Sequence, residues 1–108
     1  MPGRALLSSL VCAAGVMLLG SYAPAVADAD EELLASLPEG PGKEETFYLC
    51  HTCHSFRLVS QQRLSRKHWD ETLDWMVEEQ GMPEIEDDER VLILDYLEAH
   101  YGEDAPRP

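Results

Sequence analysis

The residues whose types and spacing can do chemistry are Cys50-His51-Thr52-Cys53-His54. Side chains three positions apart lie on one face of a helical turn. Cys50 and Cys53 can therefore reach two neighbouring vinyl groups at one edge of a porphyrin. Addition of both thiols to those vinyls gives two thioethers, and the histidine next in the chain can swing under the ring centre and ligate iron through its imidazole. The spacing predicts one haem attached covalently at Cys50 and Cys53, with His54 as an axial iron ligand.

The same residues have other uses. A thioredoxin-like redox pair needs a βαβ context, and the chain has no such pattern. A structural zinc site would combine Cys50 and Cys53 with His54 or His51, but no second pair stands at finger spacing. A plain Cys50–Cys53 disulfide is the remaining use. Export and small size both fit haem attachment.

A haem iron that only moves electrons commonly takes a methionine sulfur opposite its histidine. Beyond residue 27 the methionines are Met76 and Met82. Met82 stands in Gly81-Met82-Pro83, a loop between the last two predicted helices. Met76 falls on a helical apolar face with Trp69 and Leu73, where a methionine is more often core. The residues alone leave Met82 slightly ahead. His51 points away from the face of Cys50 and Cys53, while His68 and His100 have polar neighbours and are predicted to face solvent. Bis-histidine ligation is the remaining alternative. A filled sixth position makes the chain an electron carrier and not an enzyme. A haem enzyme or gas-binding protein would need an open position.

The elements that must hold these groups are helical. One helix is predicted over residues 43–53, and a loop follows over 55–64. A second helix begins after Ser65, a good N-cap, with Asp70 and Glu71 early, where the helix dipole favours acids. Trp69, Thr72, Leu73, Met76 and Val77 recur at three and four, and Gly81 then Pro83 stop the run. A third helix opens at 86–89 and ends at Tyr101 before Gly102. The expected fold class is all-α: a small monohaem cytochrome c-like domain of about three helices around a covalent haem, over residues 43–103, with a tail at 104–108.

Residues 28–42 are acidic and then rich in Pro and Gly; without a clear period they read as an arm or linker. Residues 1–27 carry Arg4, an apolar run over 5–19 and the small-x-small Ala25-Val26-Ala27. That is the pattern of a signal peptide cut before Asp28, and the run falls short of the roughly 20 residues of a spanning helix. The expected location is the periplasm, with no membrane attachment after cleavage. A remainder of this size is marginal as an independent fold, and a covalent haem gives short helices a large apolar surface to pack around.

The whole chain has 8 Lys/Arg and 21 Asp/Glu, a formal charge of −13. Such a balance disfavours nucleic acid and anionic membrane surfaces. Its cations cluster: Arg57, Arg63, Arg66, Lys67 and His68 stand together with no acid among them. That stretch is predicted to lie beside the haem, holding propionates or docking a partner.

Residues 50–101 resemble the cytochrome subunit of bacterial molybdenum-dependent sulfite dehydrogenases, and more widely small periplasmic monohaem c-type cytochromes. The resemblance rests on Cys50 to Ser55, on Gln61-Gln62, and on Trp69 followed by Met76 and Val77. Gly81 and Asp95-Tyr96-Leu97 match as well. It spans about half the chain. In that group the methionine following the tryptophan recurs, and the position of Met82 is often alanine. The resemblance therefore implies Met76 as the second axial ligand, with Met82 the alternative, and Gly81-Met82-Pro83 departs from the wider group. It also implies a molybdenum-cofactor dehydrogenase subunit as electron donor and a soluble cytochrome c as acceptor. Another periplasmic dehydrogenase is the alternative donor.

Overall fold

The computed structural model describes residues 25–107. The expected signal segment therefore lies outside the described residues up to residue 24. Five helices follow one another: α1 (Ala25–Ser36), α2 (Lys43–His51), α3 (Phe56–Ser60), α4 (Arg66–Gln80) and α5 (Asp87–Tyr101). The chain is an all-α small domain, as its periodicity predicts. Among the described residues the one β-type pairing is an isolated bridge between Leu64 and Gly102. No described helix is long and apolar enough to cross a membrane.

The three predicted helices correspond to α2, α4 and α5, and two more occupy segments expected to be irregular. In the segment predicted as a loop, Ser55 caps α3 by accepting the Arg57 amide at 3.3 Å, and Phe56 and Val59 are buried three positions apart. A single turn of this length leaves almost no period to detect. In the predicted arm, α1 presents Leu33 and Leu34 to the core, and Leu37 beyond it is itself buried. Residues 28–42 are thus helix plus docked turn.

Helix boundaries also shift in ways that matter for the site. Helix α2 ends at His51, where the Thr52 hydroxyl donates to the Tyr48 carbonyl at 2.7 Å. Cys50 therefore sits in the last helical turn, and Cys53 lies just past it. Ser65 does cap α4, accepting the His68 amide at 3.3 Å, but the first turn is then Arg66 to Trp69 and holds no acid. Asp70 and Glu71 fall one turn too late to meet the helix dipole.

Helix α5 is the centre of the packing. Ile93, Leu94, Tyr96, Leu97 and Tyr101 are buried along it, and both α2 and α4 lie against it. Phe47, Phe56, Trp69 and Leu73 complete the core from the other helices. Two of its polar edges are paired: Trp69 Nε1 donates to the Tyr101 carbonyl at 3.2 Å, and the Tyr96 hydroxyl donates to the Pro38 carbonyl at 2.7 Å. Arg90 on α5 reaches back to Asp70 at 2.7 Å and Asp74 at 2.6 Å, tying α4 to α5. With α2 and α4 both seated on α5, a cleft stays open between the α2–α3 corner and the face of α4.

Candidate cofactor site

The cleft has two hollows. The first, about 310 Å³, is lined by Cys50, Cys53 and His54 on one side and by Met76 and Met82 on the other, with Leu49, Leu58, Trp75 and Gln80 around them. The second, about 230 Å³, holds Val59, Gln62, Leu64, Trp69 and Thr72. His54, Leu58 and Met76 line both. The hollows are therefore two ends of one trough, with an imidazole and a thioether at its middle. Each volume is at or below the lower end of the ~300–1,000 Å³ of small-molecule sites, and together they suit a long, flat, apolar guest.

Cys50, Cys53, His54, Met76 and Met82, the site residues expected from the sequence, thus line one cleft. Cys50 is buried and Cys53 exposed, and both are free thiols. Burial pushes the Cys50 thiol up to about 12, so it is protonated at neutral pH. A buried neutral thiol is a poor redox nucleophile. Among the described residues no three His, Cys, Asp or Glu side chains come together as a metal site. The convergence is of another kind, with two thiols, one imidazole and one thioether.

His54 is half-buried, with Nδ1 3.3 Å from the Ser55 carbonyl oxygen. A carbonyl can only accept, so this contact selects the tautomer with the proton on Nδ1 and leaves the Nε2 lone pair for a metal. The other histidines are engaged elsewhere. His51 Nε2 pairs with Asp30 of α1 at 2.9 Å, and its ring stacks on Phe47. His68 is exposed, its Nδ1 3.0 Å from Ser65 Oγ. His100, expected at the surface, is half-buried against Tyr96 with ring centroids 4.6 Å apart.

The two methionines share a wall because of how α4 ends. Gly81 adopts φ 74°, and the amides of Gly81 and Met82 both donate to the Met76 carbonyl, the latter at 3.0 Å. This folds Met82 back beside the turn that carries Met76. Met82 is buried in the core and lines the first hollow alone, whereas Met76 is half-buried and faces both.

Pattern reasoning missed Trp75 and Leu58, which are 52% and 50% exposed at the cleft mouth. Neither belongs to the apolar stripe of its helix. Their signal is only that each is a large apolar residue beside a ligand candidate. Of the basic stretch, by contrast, Arg63, Arg66 and Lys67 do not line the cleft. Arg63 donates to the His100 carbonyl at 3.1 Å, and Arg66 binds Asp95 at 2.6 Å and Glu98 at 2.9 Å on α5. Lys67 pairs with Glu71 at 2.7 Å.

Compared with protein-family models, with curated proteins and with solved structures, the chain has no match.

The residues present fit a covalently held haem. Cys50 and Cys53 stand at one end of the trough and would hold the haem covalently, with apolar Leu49, Leu58 and Trp75 around them. His54 and Met76 stand at the middle, where an iron would need ligands.

Proposed function

We propose that this chain is an exported c-type cytochrome that carries electrons in the periplasm. The observation that carries this reading is the meeting of Cys50, Cys53 and His54 with Met76 across one apolar cleft. Haem, when bound, supplies an iron that gains and loses one electron. The residues of the chain do the rest. Each thiol adds across a vinyl double bond, sulfur to carbon and hydrogen to its neighbour, so attachment consumes no oxidant. His54 through Nε2 and Met76 through its sulfur would hold the iron, leaving no place on it for a substrate. Leu58 and Trp75 keep water from the plane, and methionine ligation raises the potential.

The donor in this reading is a molybdenum-cofactor dehydrogenase subunit of the sulfite dehydrogenase type, and the acceptor is a soluble cytochrome c. The acidic balance of the chain supports a protein partner in preference to nucleic acid. The test is an intact mass of the exported protein made with haem-maturation factors. A chain beginning at Asp28, one haem heavier than its polypeptide and with no reactive thiol, is the expected result. A mass equal to bare polypeptide would refute it. Reduction of the loaded protein by such a dehydrogenase with sulfite then tests the donor.

A further inference from the structure

The two ends of the trough differ in chemistry. Cys50 and Cys53 belong to the first hollow, and Gln62 and Thr72 to the second, beyond His54 and Met76. A haem carries its vinyl groups and its two carboxylates on opposite edges. Vinyls anchored at the cysteine end direct the carboxylates to the other end. We propose that Gln62 and Thr72, with His68 at the mouth, form the subsite for the carboxylate edge of the haem. This rests on the haem reading above. It also replaces the expectation that the neighbouring arginines hold that edge.

Each of the three side chains has capacity for an anion. Gln62 Nε2 donates to the Leu58 carbonyl at 3.2 Å, which uses one amide hydrogen and leaves the other. The Thr72 hydroxyl donates to the His68 carbonyl at 2.7 Å, a local helix bond that a stronger charge-assisted bond can replace. His68 Nδ1 is at Ser65 Oγ, and its ring shares an adjoining depression with Leu64 and Thr72, leaving Nε2 for a ligand. Glu71 lines that depression too, with Lys67 paired to its carboxylate. Arg63 and Arg66 are absent from both hollows and already bound to α5.

The experiment uses the haem-loaded protein with the haem carboxyl carbons isotopically labelled. Infrared difference spectra between the oxidised and reduced states report those carboxylates directly. Gln62→Leu and Thr72→Val should each shift the labelled bands, and Arg63→Gln and Arg66→Gln should leave them in place. Each variant is first weighed for covalent haem, and Gln62→Asn replaces any Gln62→Leu protein that fails to load. Bands that move only with the arginine variants, or with no variant, overturn the subsite while the cytochrome reading stands. A wild-type protein without haem overturns both, and its mass distinguishes the two failures.

Discussion

At the scale of single residues, the question is which sulfur faces the imidazole. Met76 and His54 line both hollows, and Met82 lines one and is buried in the core. A ligand at the middle of the trough and a packing residue at its end leave different marks when removed. Met76→Ala in the haem-loaded protein should abolish the far-red sulfur-to-iron absorption band and lower the midpoint potential. Met82→Ala should keep that band and instead cost about 2–5 kcal/mol of stability, as buried large-to-small changes do. The opposite spectra would move the ligand role to Met82. The gathering of Cys50, Cys53 and His54 was legible because it is local, with five consecutive residues placing two thiols and an imidazole on one corner. The arginines were not legible in this way. Arg63 and Arg66 find their partners some thirty residues on, at His100, Asp95 and Glu98, and only the approach of α5 reveals that they are taken.

At the scale of elements, the placement of the cleft depends on two glycines with positive φ. Gly42, at φ 84°, leads into α2 and lies so close to α5 that an added Cβ would stand 2.5 Å from the Leu92 carbonyl oxygen. Gly81, at φ 74°, ends α4 with open space where a Cβ would go. Alanine at Gly81 should therefore cost only the left-handed backbone, about 1–2 kcal/mol. Alanine at Gly42 adds a backbone clash that must pry α2 from α5, so its denaturation midpoint should fall further. Equal losses would mean that the α2 entrance can move freely. Gly81 was legible as a stop, with Pro83 beyond it, but nothing local distinguishes Gly42 from Gly40. Its role arises from α5, fifty residues away. The same limit applies to α1, whose Leu33, Leu34 and Leu37 look like scattered leucines in an acidic segment until a core is there to receive them.

At the scale of the whole molecule, charge and burial set how the protein responds to its solution. Burial raises the pKa of Tyr96 and Tyr101 above the ordinary phenol range. The folded state then retains protons that the unfolded chain releases, so stability is complete below about pH 10 and is lost as pH rises above it. Alkaline unfolding should start there, and Tyr96→Phe should reduce its steepness while losing the bond to Pro38. A stability flat to higher pH would show that neither phenol ionises on unfolding. The outer surface adds a second effect. Arg66, Lys67 and Arg90 are consumed in pairs with Asp95, Glu98, Glu71, Asp70 and Asp74.

The rim of the cleft shows that second effect most directly. Trp75 and Leu58 are exposed at its mouth beside exposed Cys53, where electrons would pass. Glu78 and Glu79 follow Trp75 by three and four positions and share its face of α4, and both are exposed. Glu44 and Glu45 are exposed in the first turn of α2. Arg57, next to Leu58, is the exposed cation of α3. With Glu78 and Glu79 on the face of Trp75 and a chain charge of −13, the field there attracts a basic partner and repels an acidic one. With a Debye length of about 10 Å at 0.1 M salt, a contribution of this kind is strong at low ionic strength and largely screened above it. The bimolecular rate of electron exchange with a basic soluble cytochrome c should fall steadily as salt is added, and with an acidic one it should rise. Lysine at both Glu78 and Glu79 should flatten the first dependence without changing the haem spectrum. A rate with the basic partner that increases with salt would place docking on the Arg57 side of the cleft instead.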